Sequence, residues 1–434
     1  MHDSLEQHPD RQKIVEESFA RPAQPCPVNH LIARLVMHRP EGAASDDHSH
    51  VATLCDQFGC ARPAPDARYH QMRADDILII WERLTEFGAY TVFLPTDGTL
   101  SFDANPLDSL PSDWLKALPG KVLSATLINI THRPEQDQYH PIAQEAFGTA
   151  DFAASSMRGG SAYVAADFHL DRRGFTRFVI LDASKSDMVR GRMVQRLFEL
   201  DLYRLAALLA LPVARQAQPE MGRREAELGA LLETMAAQPD VKKDREVLHA
   251  LSLSAAAMEV LGTRTAYRFA AAQAYYTLVL ERIERLREDR AEGRERIGVF
   301  VLRRLGPAMR TCDAVAARQN AIITQIDRVT HLLAARVEVT VAQQQEGLLH
   351  SMSKSGRQQL RLQETVEGLS AIAVTYYGVG ILIYIAKGLI DIGLPVPSPT
   401  VVGAVAAPVM FFWAWTSLKR IKKRVLKAEA ADEK

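Results

Sequence analysis

The sequence predicts an amino-terminal α+β domain, a long helical coiled-coil stalk and a two-helix transmembrane hairpin. Three observations carry that reading. Two long uncharged stretches lie near the end of the chain, the middle is rich in Ala, Leu, Arg, Glu and Gln, and the first third has short apolar runs broken by turn residues. The expected boundaries are 1–185 for the α+β domain, 186–368 for the stalk, 369–418 for the hairpin and 419–434 for a basic tail. A chain of 434 residues is long enough for more than one core. Lys plus Arg and Asp plus Glu are 52 each, which argues against a protein built to coat nucleic acid, so no nucleic-acid partner is expected. Apolar residues at 47% exclude wholesale disorder, and a mean hydropathy of −0.10 excludes a chain mostly in lipid.

In the first third, alternation predicts strands over 28–37, 77–84, 90–94, 121–131, 162–169 and 176–181. Short helices are expected over 46–58 and around Trp114, and Asp171-Arg172-Arg173-Gly174 reads as a hairpin turn. Antiparallel connections with helices inserted between them favour α+β over a doubly wound sheet.

The stalk begins at Ser186-Asp187, a capping pair followed by Met188, Val189, Met193, Leu197 and Leu200 at helical spacing. Pro212 and Pro219 are expected to punctuate this region. Helical stretches then follow over 223–237 and 240–296. Leu305, Met309, Cys312, Ala316, Gln319, Ile323, Ile326, Thr330, Leu333 and Val337 alternate steps of four and three, a coiled-coil seam. Such a seam needs a second chain or a returning helix to bury it, and self-association through the stalk is expected. No clear breaker separates the seam from the first apolar stretch, so one long helix should continue into the membrane.

Leu369–Ala386 and Leu394–Leu418 run 18 and 25 residues without Asp, Glu, Arg, Lys or His. About 20 apolar residues cross a hydrocarbon core. Nine basic residues flank the outer ends (Lys354, Arg357, Arg361, Lys419, Arg420, Lys422, Lys423, Arg424, Lys427), against Lys387 in the loop. This asymmetry places both ends in the cytoplasm and makes the bilayer a partner. Spans without ionisable residues favour an anchor over an ion path. The first 21 residues lack an apolar signal core, and four cysteines without a CxxC pair suit a reducing compartment.

No catalytic signature is found, neither GxGxxG nor GxxxxGK[ST], and Gly159-Gly160 is too short for a phosphate loop. His48, His50, Cys55 and Cys60 invite a zinc reading, but their spacings are unusual for ligands, so no metal or other cofactor is expected. Trp81-Glu82-Arg83 with Glu86 places acid and base on an apolar strand, where a structural ion pair is the bland account. An anion-binding pocket built from Arg11, Arg21, Arg83 and Glu86 is the alternative, and the one route to an enzyme.

Several strings resemble an uncharacterised bacterial family of membrane-anchored proteins known as a domain of unknown function. They are His8-Pro9-x-Arg11, Glu17-x-Phe19-Ala20-Arg21-Pro22 and Trp81-Glu82-Arg83-Leu84-Thr85-Glu86-Phe87. Asp167-x-x-Leu170 through Gly174-Phe175-Thr176-Arg177, and Thr365-Val366-Glu367-Gly368-Leu369-Ser370, extend the likeness over the whole chain. The resemblance implies membrane anchoring and no established activity. Its pattern has histidine where this chain has Phe19 and Leu84, so any paired-histidine chemistry there would be missing here. The layout is also similar to the two-helix magnesium and zinc transporters, but their Gly-Met-Asn signature is absent. The expectation is a scaffold or sensor of the bacterial inner membrane acting as a homo-oligomer, with a divergent two-helix cation channel as alternative.

Overall fold

Nine strands form one sheet: β1 (His30–His38), β2 (Tyr69–Ala74), β3 (Ile77–Arg83), β4 (Phe87–Pro95), β5 (Lys121–His132), β6 (Ala153–Met157), β7 (Ala162–Ala166), β8 (Thr176–Asp182) and β9 (Glu288–Arg290). Their order is β2-β3-β4-β1-β5-β8-β7-β6-β9. Neighbours are antiparallel except β5 with β8, so the sheet is mixed and the α+β reading holds. The structure, a computed structural model, describes residues 7–11, 14–15, 23–39, 46–134, 139–237, 241–291, 293–391, 395 and 397–432.

The central strands β1 and β5 are buried on both faces, from Leu31 to Met37 and from Ser124 to Ile130. Strands covered on both sides lose the polar alternation of a half-exposed strand. One face carries α1 (Asp46–Gln57) and the short α2 (Ser112–Lys116), over a core of Trp81, Tyr90, Leu127, Leu54 and Trp114. A smaller cluster under α3 (Tyr139–Phe147) joins Phe147, Phe152, Tyr163 and Val179. On Val36, Phe87 and Ala89 sits α4 (Asp187–Leu208), through Leu202 and Ala206. The Ser186 hydroxyl accepts from the Val189 N–H and caps α4, as its sequence predicts.

The expected strand over 162–169 stops at Ala166, because Asp167 turns inward to Arg177 and Phe168 adopts a left-handed φ of 53°. Strand β2 escapes sequence reading, since YHQMRA is a polar edge segment. Pro212 punctuates the helical region as expected: α4 ends at Leu208, and Pro212 lies in the first turn of α5 (Ala210–Ala237). Pro219 does not interrupt α5; it is exposed and leaves the freed Arg215 carbonyl to water.

By contact the chain divides into two units, residues 1–239 with 246–330, and residues 240–245 with 331–434. In the first, α6 (Val241–Leu286) and α7 (Ile297–Asp391) run antiparallel: Thr265 meets Gln319, and Glu288 just past α6 meets Gly298. Buried positions on α6 in this unit follow a strict heptad, Val247, Leu251, Ser254, Met258, Leu261 and Thr265, then Ala272, Val279 and Leu286. The facing seam on α7 is Leu305, Met309, Cys312, Val315, Gln319, Ile322, Ile326 and Val329. Three positions therefore correct the expected register: Val315, Ile322 and Val329 turn in, while Ala316, Ile323 and Thr330 are half-buried. Each pair is adjacent, and the side chain with more apolar surface, or the one of two isoleucines that the helix phase favours, takes the inside. The returning helix buries this part of the seam without a second chain.

In the second unit the described side chains from 342 to 363 are all exposed, Leu348, Leu349, Met352, Leu360 and Leu362 among them. Helix α7 continues unbroken to Asp391, as expected, and α8 (Pro399–Asp432) follows. The two pack as a hairpin. Gly378 receives Met410, and a Cβ at Gly403 would lie 2.9 Å from Ile383, so glycine permits both approaches.

Candidate functional site

The turn between β3 and β4 gathers a set of buried polar groups. Trp81 is wholly buried at the end of β3, and its neighbours Glu82 and Arg83 are half-buried. Glu82 takes the Arg34 guanidinium at 2.8 Å. Leu84 N–H donates to the Phe87 carbonyl at 2.8 Å and closes the hairpin. Arg39 holds this turn from behind: its guanidinium donates to the Leu84 and Phe87 carbonyls (2.8 and 3.0 Å) and pairs with Asp47 at 2.6 Å. Asp47 stands in the first turn of α1, where the helix dipole favours an anion. A Cβ at Gly88 would come within 2.9 Å of the Asp47 carboxylate, so glycine admits it.

Glu86 points the other way, to α6. Its carboxylate accepts from the Tyr267 and Tyr275 hydroxyls (2.7 and 2.8 Å) and from both arms of Arg268 (3.1 and 3.3 Å). Burial pushes its pKa up, but these donors outweigh burial and hold it below the usual glutamate value. A carboxylate with filled lone pairs and a depressed pKa is a poor base; here it pins α6 to the sheet. Beside it, burial and the Arg268 charge hold His38 below its ordinary value, Glu86 opposing.

The predicted pocket residues do not share one partner set. Arg83 lies over the Trp81 ring at 5.3 Å, whereas Glu86 is engaged by α6. Arg11 is exposed, and Arg21 and Phe19 lie outside the described residues. Leu84 packs on the apolar cluster of Val36, Phe87 and Leu202. Sequence reading missed Tyr267, Arg268 and Tyr275. The available signal was the α6 heptad, in which Arg268, Tyr275 and Arg282 occupy seam positions; Arg282 there pairs with Glu199 on α4.

The other motif residues are equally occupied. Asp167 is wholly buried and takes Arg177 at 2.5 and 3.0 Å; burial raises its pKa, and Arg177 opposes this. Thr176, with Ser124 and Thr126, donates a hydroxyl to one oxygen of the buried Asp201 (3.0, 2.9 and 2.8 Å), and Arg204 takes the other at 2.5 Å. The residues of the zinc reading have separate partners too. His50 stacks on Trp114 at 4.4 Å, His48 meets the Ala64 carbonyl at 2.7 Å, and Cys60 meets the Arg73 carbonyl at 3.1 Å. Among the described residues no three metal-ligating side chains converge.

A mixed nine-stranded sheet, an antiparallel helix pair and two helices long and apolar enough to cross a membrane define the class of protein. Within that class, the chain belongs to a family of proteins of unknown function, DUF3422, whose pattern matches residues 6–425. No curated protein matches the chain.

Proposed function

We propose that the protein is a membrane-anchored scaffold or sensor of the bacterial inner membrane, with both ends cytoplasmic, acting as a homo-oligomer. The observation that carries the anchor is where the apolar side chains point. Only 11% of the most apolar window of α7, and 6% of that of α8, is buried within the chain. Ile381, Tyr384, Ile385, Val405, Val409 and Phe412 face outward at 52–76% exposure, the reverse of a soluble core helix. Lipid is the solvent that matches such a surface. The basic flanks support the orientation.

Self-association rests on the exposed face of α7 between the helix pair and the span. Val341, Leu348, Met352, Leu362, Val366 and Leu369 fall on one heptad track with Gln345, Ser355 and Gln359. Beyond the reach of α6, a second copy anchored in the same bilayer and parallel to the first is the partner this track fits. The filled polar sites of the sheet favour scaffolding or sensing over catalysis.

The test is the mass of the full-length protein in detergent, with single cysteines at 355 and 359 for cross-linking and reporters at both ends for orientation. A dimer or higher oligomer with cross-links at both positions and cytoplasmic ends is the expected result. A monomer would remove the oligomer, and extraction by alkaline carbonate would remove the anchor. A pentamer with metal-dependent flux in liposomes would instead bring forward the two-helix channel.

A further inference from the structure

The tip of the β6–β7 hairpin is Arg158-Gly159-Gly160, three successive residues with left-handed φ of 54°, 66° and 88°. It lies against a second such residue, Arg287 (φ 50°), just past α6, and the Arg158 N–H donates to the Arg287 carbonyl at 3.1 Å. A left-handed conformation costs a non-glycine residue about 1–2 kcal/mol. Glycine would meet the backbone need at both positions, so the two guanidinium groups are what the fold itself does not require. Between them is a cavity of about 640 Å³, walled also by Ser161 and Ser184, within the range of small-molecule sites.

Two carboxylates share the wall with the two arginines. Glu288 accepts from the Ser155 hydroxyl (2.8 Å) and the Gly298 N–H (3.0 Å), and Asp289 sits on the exposed rim. Arg196, behind the turn, is held below the ordinary arginine value, first by burial and then by the charges of Arg158, Arg192 and Arg285, with Glu199 opposing. Among the described residues, none of Arg158, Arg192, Arg196 and Arg287 has an acidic side chain within 4.0 Å, unlike Arg177, Arg190, Arg204, Arg268 and Arg282 elsewhere in this unit. Guanidinium groups with no carboxylate in contact keep forked donors that match phosphate oxygens.

We propose that the cavity between the Arg158-Gly159-Gly160 turn and Arg287 binds a phosphorylated anion of the diphosphate class, with Arg158 and Arg287 as its direct contacts. The proposal is independent of the membrane and oligomer readings, because every residue in it belongs to the sheet-bearing unit.

Pyrophosphate is the probe, titrated calorimetrically into the full-length protein in phosphatidylcholine nanodiscs, against Arg158→Asn/Arg287→Asn. Asparagine tolerates the left-handed backbone and removes the guanidinium. Saturable binding of one pyrophosphate per chain is expected, weakened at least tenfold in the double variant and unchanged in the Arg172→Asn control. Arg196→Gln, which leaves both strained positions intact, is expected to weaken it several-fold and stands in if the double variant does not fold. Absence of saturable binding, or wild-type affinity in the variants, overturns the proposal. Nanodiscs containing anionic phospholipid separate the sources of the ligand. Lower pyrophosphate affinity there, lost in the variant, assigns the site to a lipid headgroup; unchanged affinity assigns it to a free diphosphate.

Discussion

Thr265 on α6 and Gln319 on α7 are joined by a hydrogen bond of 3.1 Å from hydroxyl to amide oxygen, buried among apolar layers of the helix pair. Leu261 and Ile322 lie a step away on either helix. A polar layer of this kind fixes the register of two helices that could otherwise slide by a heptad.

Removing one partner of that bond should therefore cost more than removing both. Thr265→Val or Gln319→Leu alone is expected to destabilise the sheet-bearing unit by about 1–3 kcal/mol, with the double variant closer to wild type. Urea unfolding followed by circular dichroism measures the cycle, and additive losses would show that the bond contributes no coupling.

Glu86 sets a pH dependence. Its folded pKa is depressed, so its stabilisation is fully present above the unfolded carboxylate value of about 4.3 and is lost as pH falls through the folded value. Glu86→Gln is expected to cost about 1–3 kcal/mol at pH 7, with the gap from wild type closing below about pH 4. Thermal melts across pH 3–7 report it; a gap that widens on acidification would contradict the assignment.

Gly191 carries the close approach of α4 to the segment at 24–26. A Cβ there would collide with the Gln24 carbonyl, and Arg190 beside it holds the Cys26 carbonyl at 2.6 Å and Asp182 at 2.7 Å. Gly191→Ala is expected to lose about 1–3 kcal/mol or more. Urea unfolding followed by circular dichroism measures the loss, and wild-type stability would place the strain elsewhere.

In the hairpin, Gly378 receives the Met410 methyl. Gly378→Leu is expected to lower the melting temperature of the detergent-solubilised protein, and Met410→Ala in the same chain to restore most of it. Failure of the second change to rescue the first would mean that the two spans do not meet at this point.

The architecture was legible wherever burial leaves a period in the sequence. The strand at 121–131, the Ser186 cap and the continuous helix into the apolar stretch all follow from local pattern. Register on α7 was legible only to within one residue, because Val315-Ala316 and Ile322-Ile323 are apolar on both tracks. The α6 heptad was harder to see, since Asp244, Ser254, Thr265 and Arg268 interrupt its apolar count; the partners of Asp244, Thr265 and Arg268 are distant in sequence and pattern does not reveal them. The same holds at Glu86, whose neighbours on the turn are visible in the sequence and whose donors come from about 180 residues away. The arginines around the 158–160 turn belong to three separate stretches and become a group only when the sheet is complete.

Strand β9 has a consequence for synthesis on the ribosome. Met157 on β6 pairs with Glu288, and the strand that covers this edge is 131 residues further along the chain. At roughly 5–20 residues per second, the β6 edge stays uncovered for on the order of 10 s after it emerges. An open edge recruits strands from other chains. The hydrophobic face of α6 waits as well, because its antiparallel mate is translated after it. The nascent protein therefore presents its two stickiest surfaces together, just before the apolar stretches that follow leave the exit tunnel, and a holding chaperone has that interval in which to act.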